Sequence, residues 1–297
     1  MSEVPRFIDP KTLSRLSGME LRARAVVEGF IAGLHKSPYR GFSVEFAEYR
    51  EYTPGDDIRH IDWKVMARSD RYYVKEFEEE TNLQSFVLLD RSASMGYASK
   101  GISKLDYGSY LAASLSYFIS KQHDGIGFIS FDQDVVDFLP AHSKPAHVHN
   151  ILTQLEQITP GKETDLGKPL HEMADMINRR GLIIIISDLI DEPERTMDAL
   201  QHFRFKGHDV IVFQIIDPDE LDFPFTDTVK FKDSETGEEL TVVPTLFKQQ
   251  YHETIQAFLE ENRQGCMKLQ ADYVLLNTGI PLDMALFTYV AKRSRMY

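Results

Sequence analysis

The sequence predicts an α/β protein whose doubly wound, mostly parallel sheet carries helices on both faces, with an N-terminal helix and a small β extension added. Two observations predict this fold. Short apolar runs, typical of strands buried on both faces, recur along residues 84–297. Between them lie longer segments whose apolar residues recur at helical spacing. No Gly-x-Gly-x-x-Gly motif follows the first run, which disfavours a dinucleotide-binding version of the fold.

Composition and charge restrict the class of protein further. The 297 residues are 42% hydrophobic and 27% charged, as in an ordinary globular protein. The net charge of −13 argues against binding nucleic acid through a broad basic face, and the single cysteine, Cys266, excludes an internal disulfide. The N-terminus lacks the apolar core of a signal peptide, and the aliphatic run Leu182 to Ile186 is too short to cross a bilayer. We therefore expect a soluble cytoplasmic protein.

We divide the chain into an N-terminal region, residues 1–83, and an α/β region, residues 84–297. Residues 1–40 predict a helix that starts near Pro10 and ends at Ser37-Pro38. One strand is predicted from Val44 and Phe46 through Tyr49–Tyr52 and another over residues 71–77, with a turn signal at residues 53–57 between them.

Charges alternate around the only tryptophan of this N-terminal region, which makes it a candidate partner-binding surface. The candidate residues are Arg50, Asp56, Arg59, Asp62 and Trp63. The alternative interpretation is a half-buried ion-pair network that holds a turn.

Regular alternation of strands and helices is predicted from residue 84 onwards. The predicted strands cover residues 85–90, 125–131, 135–139, 182–186, 209–216 and 273–276. The predicted helices cover residues 104–122, 146–158, 166–179, 193–206, 245–264 and 281–293. A hairpin that turns at Glu235-Thr236-Gly237 is predicted over residues 228–243.

Oxygen-bearing side chains follow the predicted strands at the edge where an α/β sheet binds ligands. Asp90, Ser92 and Ser94 follow the first strand, Asp188 follows the strand 182–186, and Thr164 lies in a loop before a helix. Because the carboxyl ends of parallel strands share one edge, these side chains can converge there. Hard oxygen donors without histidine or cysteine suit Mg²⁺, Mn²⁺ or Ca²⁺ rather than zinc. The sequence therefore predicts a divalent-cation site with an open coordination position.

Two alternatives compete for the Asp90 segment. Asp and Ser also favour helix-capping turns, so the segment is compatible with a purely structural role. Asp90 is also compatible with the nucleophile of a magnesium-dependent phosphohydrolase. That chemistry commonly uses a second aspartate two residues later as general acid, whereas this position is Ser92, a poor proton donor without a base.

Two further polar clusters have simpler explanations than metal binding. His142, His147 and His149 are close enough in sequence to suggest zinc, but no carboxylate or cysteine completes a tetrahedral site nearby, so we expect surface histidines. Asp191, Glu192 and Glu194 could add ligands to Asp188, but Glu192 and Glu194 are also well placed in the first turn of the next helix.

Two family resemblances follow from these motifs. Asp90-x-Ser92-x-Ser94 together with Thr164 and Asp188 resembles the metal-ion-dependent adhesion site of von Willebrand factor A domains. The block from Tyr49-Arg50-x-Tyr52 through Gly55-Asp56, Arg59 and Ile61-Asp62-Trp63-Lys64 to Val74-x-Glu76 resembles the bacterial family named domain of unknown function 58. Together the resemblances cover roughly residues 40–220.

The resemblance implies a von Willebrand factor A-like fold that binds a divalent cation without catalysing a reaction. It implies that Ser92, Ser94 and Thr164 coordinate the metal, that Asp90 and Asp188 do so directly or through water, and that a protein partner's carboxylate fills the open position. Members of the bacterial family are often encoded beside MoxR-type AAA+ ATPases and are thought to act as their adaptors in assembling or activating client complexes. Many carry membrane helices before the shared block; this sequence shows none, so we expect no membrane span.

Overall fold

The computed structural model describes residues 10–36, 49–51, 73–75, 84–99, 101–161, 165–232, 239–282 and 285–287. The chain divides into two compact units, one formed by Met1–Ile31 with Leu83–Tyr297 and the other by Ala32–Asn82. The described part of the smaller unit comprises the helical residues 32–36 and two strands, β1 (Tyr49–Glu51) and β2 (Tyr73–Lys75), which pair antiparallel. Both lie within segments predicted to be strands.

The described part of the larger unit alternates strands and helices. Its strands are β3 (Gln84–Asp90), β4 (Gly125–Phe131), β5 (Val135–His142), β6 (Gly181–Ser187), β7 (Asp209–Ile216), β8 (Val229–Lys232), β9 (Glu239–Val242) and β10 (Asp272–Asn277). Its helices are α1 (Pro10–Leu13), α2 (Met19–Lys36, of which residues 19–31 belong to this unit), α3 (Lys104–Lys121), α4 (Pro145–Gln157), α5 (Gly167–Met176), α6 (Pro193–Phe205), α7 (Pro218–Asp222) and α8 (Lys248–Lys268).

Among the described residues, the main sheet has six strands in the order β10-β7-β6-β3-β4-β5. Every neighbouring pair is parallel except β4 with β5, which is antiparallel. From β3 the chain proceeds to β4 on one side, whereas from β6 it proceeds to β7 on the other side. The boundary between β3 and β6 is therefore the switch point of the sheet, where the diverging connections leave a crevice beyond the carboxyl ends of the strands.

Helices cover both faces of this sheet, which confirms the predicted doubly wound α/β fold. On one face α3 approaches so closely that a β-carbon at Gly108 would lie 3.0 Å from Leu89 and 3.2 Å from both Ile186 and Ile215. The opposite face packs against α5, α6 and α8 in a cluster that includes Leu88, Ile185, Val212, Leu170, Leu200 and Cys266. Strands buried on both faces account for the unbroken apolar runs in the sequence.

Three boundaries differ from the prediction for local reasons. The helix expected over residues 1–40 is two helices, α1 and α2, because Gly18 has φ of +84°, a left-handed conformation that interrupts a helix. Strand β5 runs to His142 instead of ending at residue 139, because this edge strand alternates half-buried and exposed residues and its end is not marked by an apolar run. Of the helix expected over 281–293, the described helical residues are 285–287.

The C-terminal hairpin prediction is confirmed by β8 and β9, which pair antiparallel, while its turn at Glu235-Thr236-Gly237 lies outside the described residues. Within the described ranges, no helix is both long enough and apolar enough to cross a membrane.

Candidate metal centre

The candidate centre starts at Asp90, the last residue of β3, whose side chain is fully buried. The Ser92 backbone N–H donates to Asp90 Oδ1 at 2.8 Å, and the Ser187 hydroxyl donates to Asp90 Oδ2 at 2.5 Å. Burial, followed by the charge of Asp188, raises the pKa of Asp90 to about 7, although the hydrogen bonds from Ser187 and Ser92 oppose this shift. A carboxylate here is costly unless a cation compensates its charge.

Ser92 and Ser94 place their hydroxyls beside this carboxylate. Both serines are buried, and their Oγ atoms lie 3.1 Å apart at the start of a 3₁₀ turn, Ala93–Gly96. Octahedral magnesium binds oxygen at about 2.1 Å, so two ligands at right angles are about 3.0 Å apart. The hydroxyl of Ser92 makes no capping hydrogen bond to the turn that follows it, so helix capping does not account for this side chain. The two hydroxyls fit adjacent positions around a small hard cation.

Asp188 joins these groups because β6 lies directly beside β3. The parallel register pairs Leu89 with Ile186, so the residues that follow each of them emerge at the same edge of the sheet. Asp188 is almost fully buried; its Oδ1 accepts a hydrogen bond from the Ile190 N–H at 3.2 Å, and its backbone carbonyl accepts one from Gln214 Nε2 at 2.8 Å. The structure therefore brings Asp90, Ser92, Ser94 and Asp188 together at the switch point.

Thr164, the fifth predicted ligand, lies outside the described residues, but Gly161 and Leu166, which flank it in sequence, make hydrogen bonds near the centre. The Gly161 N–H donates to the Arg91 carbonyl at 2.5 Å, directly after β3. The Leu166 N–H donates to Asp191 Oδ2 at 2.8 Å, in the segment after β6. The two acceptors, Arg91 and Asp191, lie in the segments that follow β3 and β6, as do Ser92, Ser94 and Asp188.

The candidate partner surface of the smaller unit remains a prediction. Arg50 lies in β1, where the backbone alone is described, and the other members, Asp56, Arg59, Asp62 and Trp63, lie outside the described residues.

Lys104 is a member of the centre that sequence reasoning missed. It is the first residue of α3 and completely buried, and its Nζ donates to Asp188 Oδ2 at 2.7 Å and to Glu220 Oε1 at 2.7 Å. Burial alone would lower the pKa of Lys104, but the Asp188 and Glu220 carboxylates raise it above its ordinary value, so the ammonium stays charged. Its partners are 84 and 116 residues away in sequence. The available sequence signal was a cation at a helix N-terminus, where the dipole disfavours it.

Glu220 is held in place from several directions. Its Oε2 accepts a hydrogen bond from the Asp217 N–H at 2.9 Å in the capping box of α7, and its backbone carbonyl accepts one from the Tyr251 hydroxyl at 2.6 Å. Asp217 Oδ2 in turn accepts a hydrogen bond from the Ser99 N–H at 3.0 Å, in the segment that follows β3. The ion pair with Lys104 is therefore built on a fixed carboxylate.

The histidine cluster differs in part from expectation. His142 and His149 are exposed as predicted, but His147 is buried and its ring contacts that of His142 edge to face at 5.1 Å. The prediction failed for His147 because it lies on the inward side of α4 beside Val148. Among the described residues there is no group of three or more His, Cys, Asp or Glu side chains that could hold a metal. The candidate centre uses two carboxylates and completes its donors with serine hydroxyls.

The acidic segment after β6 supports neighbouring structure. Helix α6 begins at Pro193 with Glu194 in its first turn, as predicted, whereas Glu192 is the N-cap residue that precedes the helix. Acidic side chains there interact favourably with the helix dipole. Asp191 accepts the hydrogen bond from the Leu166 N–H described above.

Fold and geometry define a doubly wound α/β protein with buried oxygen donors at the switch point of its sheet. The family model described as "Protein of unknown function DUF58" matches residues 48–264, and the chain belongs to this family. It is 28% identical to an uncharacterized protein of Mycobacterium tuberculosis over 243 residues, which cover 80% of this chain and 76% of the relative. It is 27% identical over 139 residues to the uncharacterized protein YeaD of Bacillus subtilis, covering 44% of this chain and 33% of YeaD.

Among solved structures, the chain is similar to the conserved hypothetical protein BatB from Bacteroides thetaiotaomicron. The TM-score is 0.50 with 18% sequence identity, and the match covers 72% of this chain and 99% of BatB. At this level of identity the likeness supports the fold alone.

Proposed function

We propose that the protein is a non-enzymatic adaptor of the von Willebrand factor A type that binds a protein partner through Mg²⁺ or a similar divalent cation, Mn²⁺ or Ca²⁺. The observation that carries this proposal is the convergence of Asp90, Ser92, Ser94 and Asp188 at the switch point between β3 and β6. Such a donor set suits a hard cation, and its sparseness leaves room for an external ligand.

Each residue has a defined role in this proposal. Ser92 and Ser94 would bind the cation through their hydroxyl oxygens, and Thr164, between Gly161 and Leu166 in sequence, would add a third hydroxyl. Asp90 and Asp188 would hold the cation directly or through water, because each of their hydrogen-bonded oxygens keeps a further lone pair. The cation supplies a single function, an open position that accepts the carboxylate of a partner.

The burial and hydrogen bonding of Asp90 disfavour the phosphohydrolase alternative. A nucleophilic carboxylate must reach the phosphorus atom, but Asp90 is fully buried and both of its oxygens accept hydrogen bonds. The residue two positions later is Ser92, whose hydroxyl is a poor general acid and lies 3.1 Å from the hydroxyl of Ser94. A phosphate-release assay with a generic phosphate ester and Mg²⁺ tests this directly; robust turnover that Asp90→Asn abolishes would contradict the adaptor proposal.

Calorimetric titration with Mg²⁺ and Mn²⁺ tests the metal site. We expect the wild type to bind one equivalent, Asp90→Ala to bind none, and Ser92→Ala to bind about 10–100-fold more weakly because a ligand is lost. Ser85→Ala is the matched control for Ser92→Ala, since Ser85 is a buried serine near the start of β3, at the far end of that strand from Ser92. Equal binding by all four proteins would rule out the proposed site.

The partner proposed from the family resemblance is a MoxR-type AAA+ ATPase, with the protein helping to assemble or activate client complexes. A cytoplasmic location belongs to the same proposal, because such an ATPase needs ATP, and the charge of −13 disfavours nucleic acid as a partner. Affinity capture from the native cell should recover an AAA+ ATPase with wild-type protein in Mg²⁺. The ATPase should be lost with EDTA or with Ser92→Ala; recovery unaffected by both would contradict cation-dependent docking.

A further inference from the structure

Lys104 has more charged partners than a buried lysine needs. Its side chain has no exposed surface, yet its ammonium contacts two carboxylates, Asp188 and Glu220, at 2.7 Å each. A buried ammonium is costly unless it is paired, and one carboxylate is enough to pair it. One of the two, Asp188, is also a proposed ligand of the divalent cation. The second partner therefore calls for an explanation.

We infer that Lys104 is an internal cation that competes with the divalent metal for Asp188, and that Glu220 keeps Lys104 paired when the metal takes Asp188. This inference rests on the proposed function of the centre. It assigns Lys104 and Glu220 a role in setting the affinity of the site, although neither is a metal ligand.

The competition follows from charge and position. The Lys104 ammonium occupies the Oδ2 side of Asp188, while Oδ1 is bonded to the Ile190 N–H, so the ammonium already neutralises the carboxylate that would attract the metal. An ammonium within a few ångströms of a divalent cation also repels it, and the repulsion is poorly screened in a buried site. Lys104 therefore weakens the binding of a metal without a partner. A partner's carboxylate restores the missing negative charge, so partner and metal bind together more tightly than either binds alone.

The hydrogen bonds that hold Glu220 in place allow it to keep Lys104 paired. Its carboxylate is bonded to the Asp217 N–H and its carbonyl to the Tyr251 hydroxyl, so it stays on α7 instead of following the metal. When the metal draws Asp188 away from Lys104, the ammonium keeps the bond to Glu220 Oε1 and is not left as an unpaired buried charge. Without Glu220, metal binding would leave Lys104 unpaired.

Substitutions of the two residues should therefore change the affinity for metal in opposite directions when the metal-free protein is titrated with Mg²⁺ or Mn²⁺ alone. Lys104→Met should bind at least about tenfold more tightly than the wild type, because the competing charge is gone. Glu220→Gln should bind about tenfold more weakly, because the metal then has to displace a lysine with no other charged partner. The matched controls are Lys121→Met, at the exposed end of the same helix α3, and Asp222→Asn, at the exposed end of α7. Both should bind as the wild type does.

The outcomes separate this inference from the proposed function. If the wild type binds metal and folded Lys104→Met binds it with the same affinity, the inference is overturned but the proposed metal site is not. No binding by the wild type or by any variant would overturn the proposed function itself. Circular dichroism checks that each variant folds. If Lys104→Met alone does not fold, the double variant Lys104→Met with Glu220→Gln replaces it. Asp188 then has no competing ammonium, so the double variant should still bind metal more tightly than the wild type. Equal or weaker binding by a folded double variant would also overturn the inference.

Discussion

Asp90→Asn is expected to weaken the binding of Mg²⁺ and Mn²⁺ by about 100-fold or more, while the metal-free protein stays as stable as the wild type or gains about 1 kcal/mol. The two effects have opposite signs because the same charge that attracts the cation is costly without it. Burial and the neighbouring Asp188 charge raise the pKa of Asp90, which measures how strongly the site disfavours the carboxylate.

Asparagine can preserve the local structure around position 90. Its Oδ1 can accept the hydrogen bond from the Ser92 N–H, and its amide can donate to the Ser187 hydroxyl, which donates to Asp90 in the wild type. The hydroxyl of Ser187 still accepts from the Leu189 N–H at 2.9 Å. The substitution therefore removes a buried charge and leaves the packing of β3 against β6 intact.

Calorimetry and thermal denaturation at pH 8, with and without Mg²⁺, measure both effects. Metal should raise the unfolding temperature of the wild type and leave that of Asp90→Asn unchanged, since a ligand stabilises only a protein that binds it. Asp209→Asn is the matched control, because Asp209 starts β7 at the opposite edge of the sheet, where it pairs with Arg204. If Asp90→Asn bound metal with wild-type affinity, Asp90 would not be part of the metal site. If the variant did not fold, the role of Asp90 would be structural.

The sheet could be predicted closely because its strands are buried on both faces. The predicted limits of β4 and β7, Gly125–Phe131 and Asp209–Ile216, match the structure, since each is a nearly continuous apolar run bounded by polar residues. The placement of Asp90 and Asp188 at one edge followed from the same reasoning, because parallel strands all end on the same side.

Contacts between distant segments could not be predicted in the same way. The bonds of Lys104 to Asp188 and Glu220 join three elements, and no local pattern in the sequence encodes them. Burial of His147 likewise depends on which side of α4 faces inward, and the prediction weighed the histidines as a group instead of testing that periodicity. Sequence reasoning thus found the oxygen donors of the candidate site and missed the cation that compensates them.

Gly181→Ala is expected to destabilise the protein by about 3 kcal/mol or more, although it adds a single methyl group. Gly181 begins β6 and pairs with Gln84 at the start of β3. A β-carbon at position 181 would lie 2.1 Å from the Gln84 carbonyl oxygen. This oxygen belongs to the backbone, so no change of side-chain rotamer relieves the overlap, and the two central strands have to move apart.

Denaturant unfolding compares this variant with Gly29→Ala, which makes the same chemical change in an open position. Gly29 lies inside α2, where a β-carbon would have nothing within 4 Å of it, so alanine there should stabilise the protein by about 0.5–1 kcal/mol. The opposite signs separate the steric effect at Gly181 from any general effect of adding a methyl group. Because β3 and β6 also carry Asp90 and Asp188, Gly181→Ala should weaken Mg²⁺ binding as it destabilises the fold, whereas Gly29→Ala should leave binding unchanged. Unaltered stability of Gly181→Ala would mean that the two strands do not approach each other as closely as their pairing requires.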